Sequence, residues 1–99
     1  MQIIKVHSPT YYEILDVDGD RDSLEEQLGG RYRPLNWFGK GKVALCNEQQ
    51  TLLKQGEFNR QVGGTPVYGP FLVLNENHGS YFGLTQDEAL DTMYRLSGV

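Results

Sequence analysis

Three aspartates at alternate positions are the sharpest local chemical signal in the sequence. Asp16, Asp18 and Asp20 occupy the first three ligand positions of a calcium-binding loop. Such a loop needs glycine at its sixth position and a bidentate acid at its twelfth, but these positions hold Arg21 and Gln27. We therefore interpret the aspartates as the acidic rim of a turn that leads from a strand into a helix.

Histidine and cysteine offer no second metal or catalytic site. His7, His78 and Cys46 have no partner at ligand spacing, and a closed zinc site needs about four ligands. Cys46 lies in an apolar segment, which favours a core position over a nucleophile activated by a neighbouring base. The sequence therefore predicts neither a bound metal nor a cofactor.

A basic and aromatic set is the next candidate, since arginine forks suit phosphate and aromatic rings suit a nucleobase. Its members are Arg31, Arg33 and Arg60 with Tyr32, Trp37 and Phe58. They could meet around one pocket, although scattered solvated arginines explain them equally well. Gly63-Gly64-Thr65 could cradle a phosphate but lacks the lysine of a P-loop and precedes Pro66, so we interpret it as a flexible loop end.

The apolar run at residues 67–74 is the element around which the chain is organised. Apolar residues occupy both odd and even positions from Phe71 to Leu74, which predicts a central strand covered on both faces. Pro70 has no backbone N–H to donate, so ordered pairing is expected to begin after it.

Further strands are predicted at residues 3–6, 11–17 and 43–47, with an edge strand at best at 31–37. Residues 38–42 and 75–79 are predicted turns, and residues 54–66 a long loop. A short helix near residues 23–29, capped by Ser23 with Glu26, ends at Gly29-Gly30, and a longer helix near 85–97 is capped by Thr85 with Glu88 and closed by Gly98. Residues 47–53 are expected to form a hairpin, with a helix starting at Asn47 as the alternative.

These elements predict one α+β domain over residues 1–99, with a mixed, mostly antiparallel sheet of about five strands and two helices packed on it. The predicted core is Phe71, Leu72, Val73, Leu74, Leu45, Val43, Ile14, Leu24, Leu28, Leu90 and Met93.

Composition limits the classes of partner. The formal net charge of −4, with both signs interspersed, argues against a nucleic-acid-binding surface. A single cysteine and the absence of a visible secretory signal fit a cytoplasmic protein without membrane association. A homodimer is possible at this chain length, because a core of this size stabilises a monomer only modestly.

The order of several short motifs resembles the small family catalogued as domain of unknown function 3846. The matching segments, spread over nearly the whole chain, are Leu28-Gly29-Gly30, Asn47-Glu48, Asn59-Arg60, the run at 67–74 and residues 84–88. The resemblance implies an accessory protein of a bacteriophage or plasmid, working in the host cytoplasm, and it implies no activity.

The same resemblance implies a binding site at Asn47, Glu48, Asn59 and Arg60, to which we add Tyr68 from the apolar run. Asparagines also serve turns, and Arg60 could simply tie down a loop.

Two functional classes follow from these residues. The first is a non-catalytic protein that blocks or sequesters a host component, either a host defence protein or a small nucleotide signal. The second is a small enzyme that acts on a nucleotide-like or phosphorylated substrate through Glu48, Asn59 and Arg60. A pocket lined by Arg60 and aromatic residues, especially between two subunits, would favour the nucleotide.

Overall fold

The fold consists of two antiparallel sheets and three helices, in a computed structural model that describes residues 1–37 and 41–97. The strands are β1 (Gln2–Val6), β2 (Tyr12–Asp16), β3 (Tyr32–Asn36), β4 (Lys42–Asn47), β5 (Phe58–Val62), β6 (Thr65–Tyr68), β7 (Phe71–Asn77) and β8 (Ser80–Phe82). The helices are α1 (Arg21–Leu28), α2 (Glu48–Leu52) and α3 (Gln86–Ser97). This is the predicted α+β class, and every strand pairing in it is antiparallel.

Strand β7 lies at the centre of the six-stranded sheet, whose order is β2-β1-β7-β4-β3, with β8 paired to the far end of β7. Val73 pairs with Ile4 of β1 on one side and with Ala44 of β4 on the other. Residues 71–74 are all fully buried, so the predicted strand with no wet face is confirmed.

The alternating side chains of β7 enter two separate cores. Leu72 and Leu74 pack on the face covered by α1, which contributes Leu24 and Leu28. Phe71 and Val73 pack on the opposite face, which is covered jointly by α3 and by the β5-β6 hairpin. The sheet is therefore the middle of three layers, and two different elements share one of its faces.

The apolar run at 67–74 belongs to two strands rather than one. Strand β6 ends at Tyr68, Gly69 adopts a φ of +77°, and β7 begins directly after Pro70. Pairing after Pro70 agrees with the prediction, whereas Val67 contributes to the hairpin and not to the central strand.

The prediction of a loop over residues 54–66 is wrong for the second half of this range, which forms most of the β5-β6 hairpin. Gly63 and Gly64 make the two-residue turn with φ values of +55° and +85°, the combination that type I′ hairpin turns require. Strand β5 lacks the apolar alternation that predicts a strand. Asn59 is polar although it is buried, and Val62 is the only apolar residue that follows it in β5.

The hairpin predicted at residues 47–53 is also wrong, and the helical alternative is correct. Asn47 Oδ1 accepts a hydrogen bond from the Gln50 amide at 3.0 Å and thereby caps α2. Thr51 is the buried residue of this short helix.

Helix α1 and the end of β7 differ from the prediction by a few residues. Asp20, not Ser23, is the N-cap of α1, and its carboxylate accepts from the Ser23 amide at 3.0 Å. Strand β7 continues to Asn77, so the turn is confined to His78 and Gly79, both with positive φ. Gly29 ends α1 in the left-handed conformation, as predicted.

The prediction that Leu90 belongs to the core is wrong, since its side chain is 52% exposed. The buried residues of α3 are Ala89, Thr92 and Leu96, spaced i, i+3 and i+7, and this spacing turns Leu90 outward. Thr92 tolerates burial because its hydroxyl donates to the Glu88 carbonyl at 2.8 Å. Ile14 and Met93 lie half-buried against the core.

The predicted turn at residues 38–42 falls mostly at positions 38–40, outside the described residues, as does the predicted closure of α3 at residue 98. Within the described ranges, none of the helices has the length and apolar character that crossing a membrane requires.

Phe71→Ala should lower the free energy of unfolding by about 3–5 kcal/mol, because it empties a fully buried site in the central strand. The control is Phe82→Ala, since Phe82 is 51% exposed and should cost roughly 1 kcal/mol or less. Urea denaturation of both variants measures the difference, and equal midpoints for Phe71→Ala and the parent protein would contradict the placement.

The capping box that starts α3 is confirmed and is linked to the sheet. The Thr85 hydroxyl accepts from the Glu88 amide at 3.2 Å, and the Glu88 carboxylate accepts from the Thr85 amide at 2.9 Å. Asn75 donates to the same carboxylate at 3.0 Å, and Lys42 lies 3.6 Å from it. The Thr85 N–H first, then the Asn75 amide, hold the pKa of Glu88 below its ordinary value.

Because the folded-state pKa of Glu88 is lowered, its charge stabilises the fold above the ordinary glutamate pKa of about 4.3 and ceases to do so as the pH falls through the lower folded value. Glu88→Gln should therefore be less stable than the parent protein near neutral pH. The difference in unfolding free energy between Glu88→Gln and the parent protein should narrow below about pH 4. Denaturation from pH 7 to pH 3 measures it, and a gap independent of pH would contradict the role of the charge.

Candidate functional site

A pocket of about 450 Å³ lies on the face of the sheet shared by the β5-β6 hairpin and α3. We call it the hairpin pocket. It is lined by Pro9, Asn36, Trp37, Asn59, Arg60, Gln61, Val62, Gly63 and Leu96. Its volume is within the range of sites that hold small ligands.

Asn59 fixes the base of the hairpin to the main sheet. It lies at a bulge in β5, between the pairings of Phe58 and Arg60, and its side chain is buried. Its amide nitrogen donates to the Val6 carbonyl at 3.2 Å and to the Gly69 carbonyl at 3.0 Å. The predicted site residue Asn59 is thus a clamp whose donors are both used inside the protein.

Arg60 spans the pocket from the hairpin to α3. Its guanidinium donates to the Leu96 carbonyl at 3.3 Å, to the Pro9 carbonyl at 2.9 Å and to Asn59 Oδ1 at 3.4 Å. Burial lowers the pKa of this guanidinium from its ordinary value, which leaves it charged at neutral pH. In the described part of the chain, no carboxylate lies within the 4 Å of an ion pair with Arg60.

The geometry leaves Arg60 with spare binding capacity. An arginine side chain carries five N–H groups, and three of those of Arg60 donate to the acceptors above, which leaves about two. A half-buried positive charge that faces a cavity and lacks a described carboxylate partner can bind an anion.

Trp37 connects the pocket to the core. It is the only tryptophan in the chain, and its ring lies 5.7 Å from the Phe71 ring, centroid to centroid. The pocket wall therefore rests on the central strand. Val62 and Leu96 add apolar surface beside Trp37, so the pocket combines one cation with mostly apolar walls.

The tip of the hairpin sets the rim of the pocket. A Cβ atom built on Gly63 would lie 2.9 Å from the Asn36 carbonyl oxygen, closer than such contacts occur. Gly63 therefore permits a close approach between the hairpin and β3, in addition to its positive φ of +55°. The glycines predicted as a flexible loop end form this turn.

Asn47 and Glu48 lie in a different groove, of about 340 Å³, which does not include Asn59 or Arg60. Asn47 caps α2 and also donates to the Leu28 carbonyl at the end of α1, at 3.0 Å. Glu48 is exposed at the first position of α2. The structure therefore separates the four residues carried over from the family resemblance into two pairs.

Tyr68 does not line the hairpin pocket either. Its ring packs edge-on against Phe58, with centroids 5.5 Å apart. Its backbone N–H donates to Thr51 Oγ1 at 3.5 Å, which places Tyr68 beside α2.

Only two residues of the predicted basic and aromatic set meet in the hairpin pocket. Arg60 and Trp37 share the hairpin pocket, whereas Arg31 lines the groove of Glu48. Tyr32 packs edge-on against Tyr81, with centroids 5.7 Å apart, on the α1 side of the sheet. Arg33 is exposed on the edge strand β3.

The candidate metal ligands have other roles. Asp20 caps α1, and His7 is paired with Glu13 at 2.5 Å. Cys46 is buried, and burial raises the pKa of its thiol. Among residues 1–37 and 41–97, no group of three histidine, cysteine or acidic side chains could hold a metal ion.

The lining residues Pro9, Asn36, Gln61 and Leu96 were not predicted. They come from three separate elements and the turn between β1 and β2, which meet only because the hairpin folds over the sheet. The Gly63-Gly64 pair flanked by Val62 and Val67 is the one local signal that could have indicated the hairpin.

Comparison with protein-family models, with curated proteins and with solved structures finds no match to this chain. The resemblance to domain of unknown function 3846 therefore stays a prediction.

Asn59→Ala should lower the free energy of unfolding by about 2–3 kcal/mol, because it removes the two buried hydrogen bonds that the Asn59 amide donates to the Val6 and Gly69 carbonyls. Asn77→Ala is the matched control, since Asn77 is exposed and should change stability by about 0.5 kcal/mol at most. Thermal and urea denaturation measure both. Equal losses of unfolding free energy in the two variants would contradict this role of the Asn59 amide.

Proposed function

We propose that this protein is a non-catalytic binding protein that sequesters a small nucleotide signal in the hairpin pocket. The setting is the one that the family resemblance implies, an accessory protein of a phage or plasmid in the host cytoplasm. The observation that carries the proposal is Arg60, a half-buried cation that faces an otherwise mainly apolar pocket.

The chemistry of the lining favours a nucleotide over other small ligands. Arg60 suits a phosphate oxygen pair, while Trp37, Val62 and Leu96 offer apolar contact to a base. The side chains of Asn36 and Gln61 supply donors and acceptors of the kind that bind the edge of a base.

Binding is favoured over turnover because the described lining carries no nucleophilic side chain and no group that titrates near neutral pH. The alternative enzyme needs Glu48 beside Asn59 and Arg60, but Glu48 lies in the separate groove. A small ligand is favoured over a host protein because the candidate residues Asn59 and Arg60 lie at a concave site.

The test is nucleotide binding measured by the fluorescence of the single Trp37, with calorimetry as a second readout. Arg60→Gln should weaken binding of the tightest nucleotide by about tenfold or more, since it removes a charge-assisted contact. Arg33→Gln is the matched control, because Arg33 is exposed and outside the pocket.

Melting temperatures of both variants are needed, because Arg60 also holds Leu96 and Pro9. Full affinity in a folded Arg60→Gln variant would overturn the proposed site. Turnover of a nucleotide that is lost in Glu48→Gln would overturn the non-catalytic role.

A further inference from the structure

We infer that the ligand of the hairpin pocket presents a single negative charge, as the phosphodiester of a cyclic nucleotide does, rather than a terminal phosphate monoester. The inference rests on the proposed function and narrows its ligand class.

The charge of the described pocket lining matches a ligand with one negative charge. Arg60 is the only cationic side chain among the described residues that line the pocket. A phosphodiester carries one negative charge at neutral pH, whereas a phosphate monoester carries between one and a half and about two. One guanidinium therefore balances the first and leaves the second with excess charge in a partly desolvated site.

The carbonyl dipoles around Arg60 disfavour a second negative charge in the pocket. The Leu96 carbonyl lies near the C-terminal end of α3, which is the negative end of the helix dipole, and it accepts from Arg60 at 3.3 Å. The Pro9 carbonyl oxygen lies 2.9 Å from the same guanidinium. Both oxygens repel any negative charge beyond the one that Arg60 neutralises.

The number of unused N–H groups on Arg60 also matches a phosphodiester. With three N–H groups of Arg60 held by protein acceptors, the remaining two can satisfy one pair of anionic oxygens. A phosphodiester has two such oxygens, whereas a monoester has three. The same three contacts hold the guanidinium in place, so it does not need to be ordered when the ligand binds.

The experiment compares three adenosine probes on the intact protein: adenosine 3′,5′-cyclic monophosphate, adenosine 5′-monophosphate and adenosine. The guanosine, cytidine and uridine sets are measured alongside. Trp37 fluorescence and calorimetry both report the Kd. We expect the cyclic monoanion of the preferred base to bind about tenfold or more tightly than its monophosphate, and more tightly than the neutral nucleoside.

A gain-of-binding variant makes the test independent of losses in folding. Asn36 is an exposed residue that lines the pocket, so Asn36→Lys adds a second positive charge without disturbing the core. It should improve binding of the 5′-monophosphate several-fold more than binding of the cyclic probe. Gln49→Lys, on the exposed surface of α2 outside the pocket, is the matched control and should leave the ratio unchanged.

The outcomes separate this inference from the proposed function. Equal or tighter binding of the 5′-monophosphate, with binding lost in Arg60→Gln, overturns the charge preference and leaves the nucleotide site standing. Failure of every probe to bind overturns both. A preference for the cyclic probe that Asn36→Lys reduces several-fold and Gln49→Lys leaves unchanged supports the inference.

Discussion

The buried Asn59 amide is the interaction on which the hairpin pocket depends. It joins β5 to the Val6 carbonyl at the end of β1 and to the Gly69 carbonyl just before β7. Because a buried amide that lost these partners would cost free energy, the hairpin is held at one position on the sheet. The bulge at Asn59 also places the next residue, Arg60, where it reaches α3. The geometry of the hairpin pocket therefore follows from one buried amide, that of Asn59, whose hydrogen bonds are satisfied within an apolar layer.

Arg60 combines a structural role with the proposed binding role. Its contact to the Leu96 carbonyl connects the hairpin to α3, and its contact to the Pro9 carbonyl connects the hairpin to the turn between β1 and β2. They use part of its hydrogen-bonding capacity and leave its charge without a described carboxylate partner within 4 Å. A positive charge suits the Leu96 carbonyl at the negative end of α3, and the contacts to protein acceptors still leave about two N–H groups of Arg60 unused. Under the proposed function, these N–H groups bind the anion of the ligand.

The sequence predicted the parts of the fold that a few adjacent residues determine. The central strand from Phe71, the capping box at Thr85 and the glycine end of α1 all follow from a few adjacent residues. The β5-β6 hairpin was missed because it is held by a polar contact to a distant element, whereas α2 was predicted only as the alternative although its cap at Asn47 is local. Asn59 bonds to Val6, 53 positions away, and such pairings are invisible in the local pattern. Of the candidate site, Arg60 and Asn59 were predicted, but the walls from Pro9 and Leu96 were not.

The two faces of the sheet are covered differently, and the hairpin pocket lies on only one of them. On the α1 face, one helix and the paired rings of Tyr32 and Tyr81 cover the core. The other face is covered by two elements that come from different parts of the chain, and the hairpin pocket is the gap left between them. Trp37 closes the inner side of that gap and packs on Phe71, so the pocket wall and the central strand share one contact. A ligand that fills the gap buries more of this layer, and binding would therefore stabilise the fold as well as occupy the site.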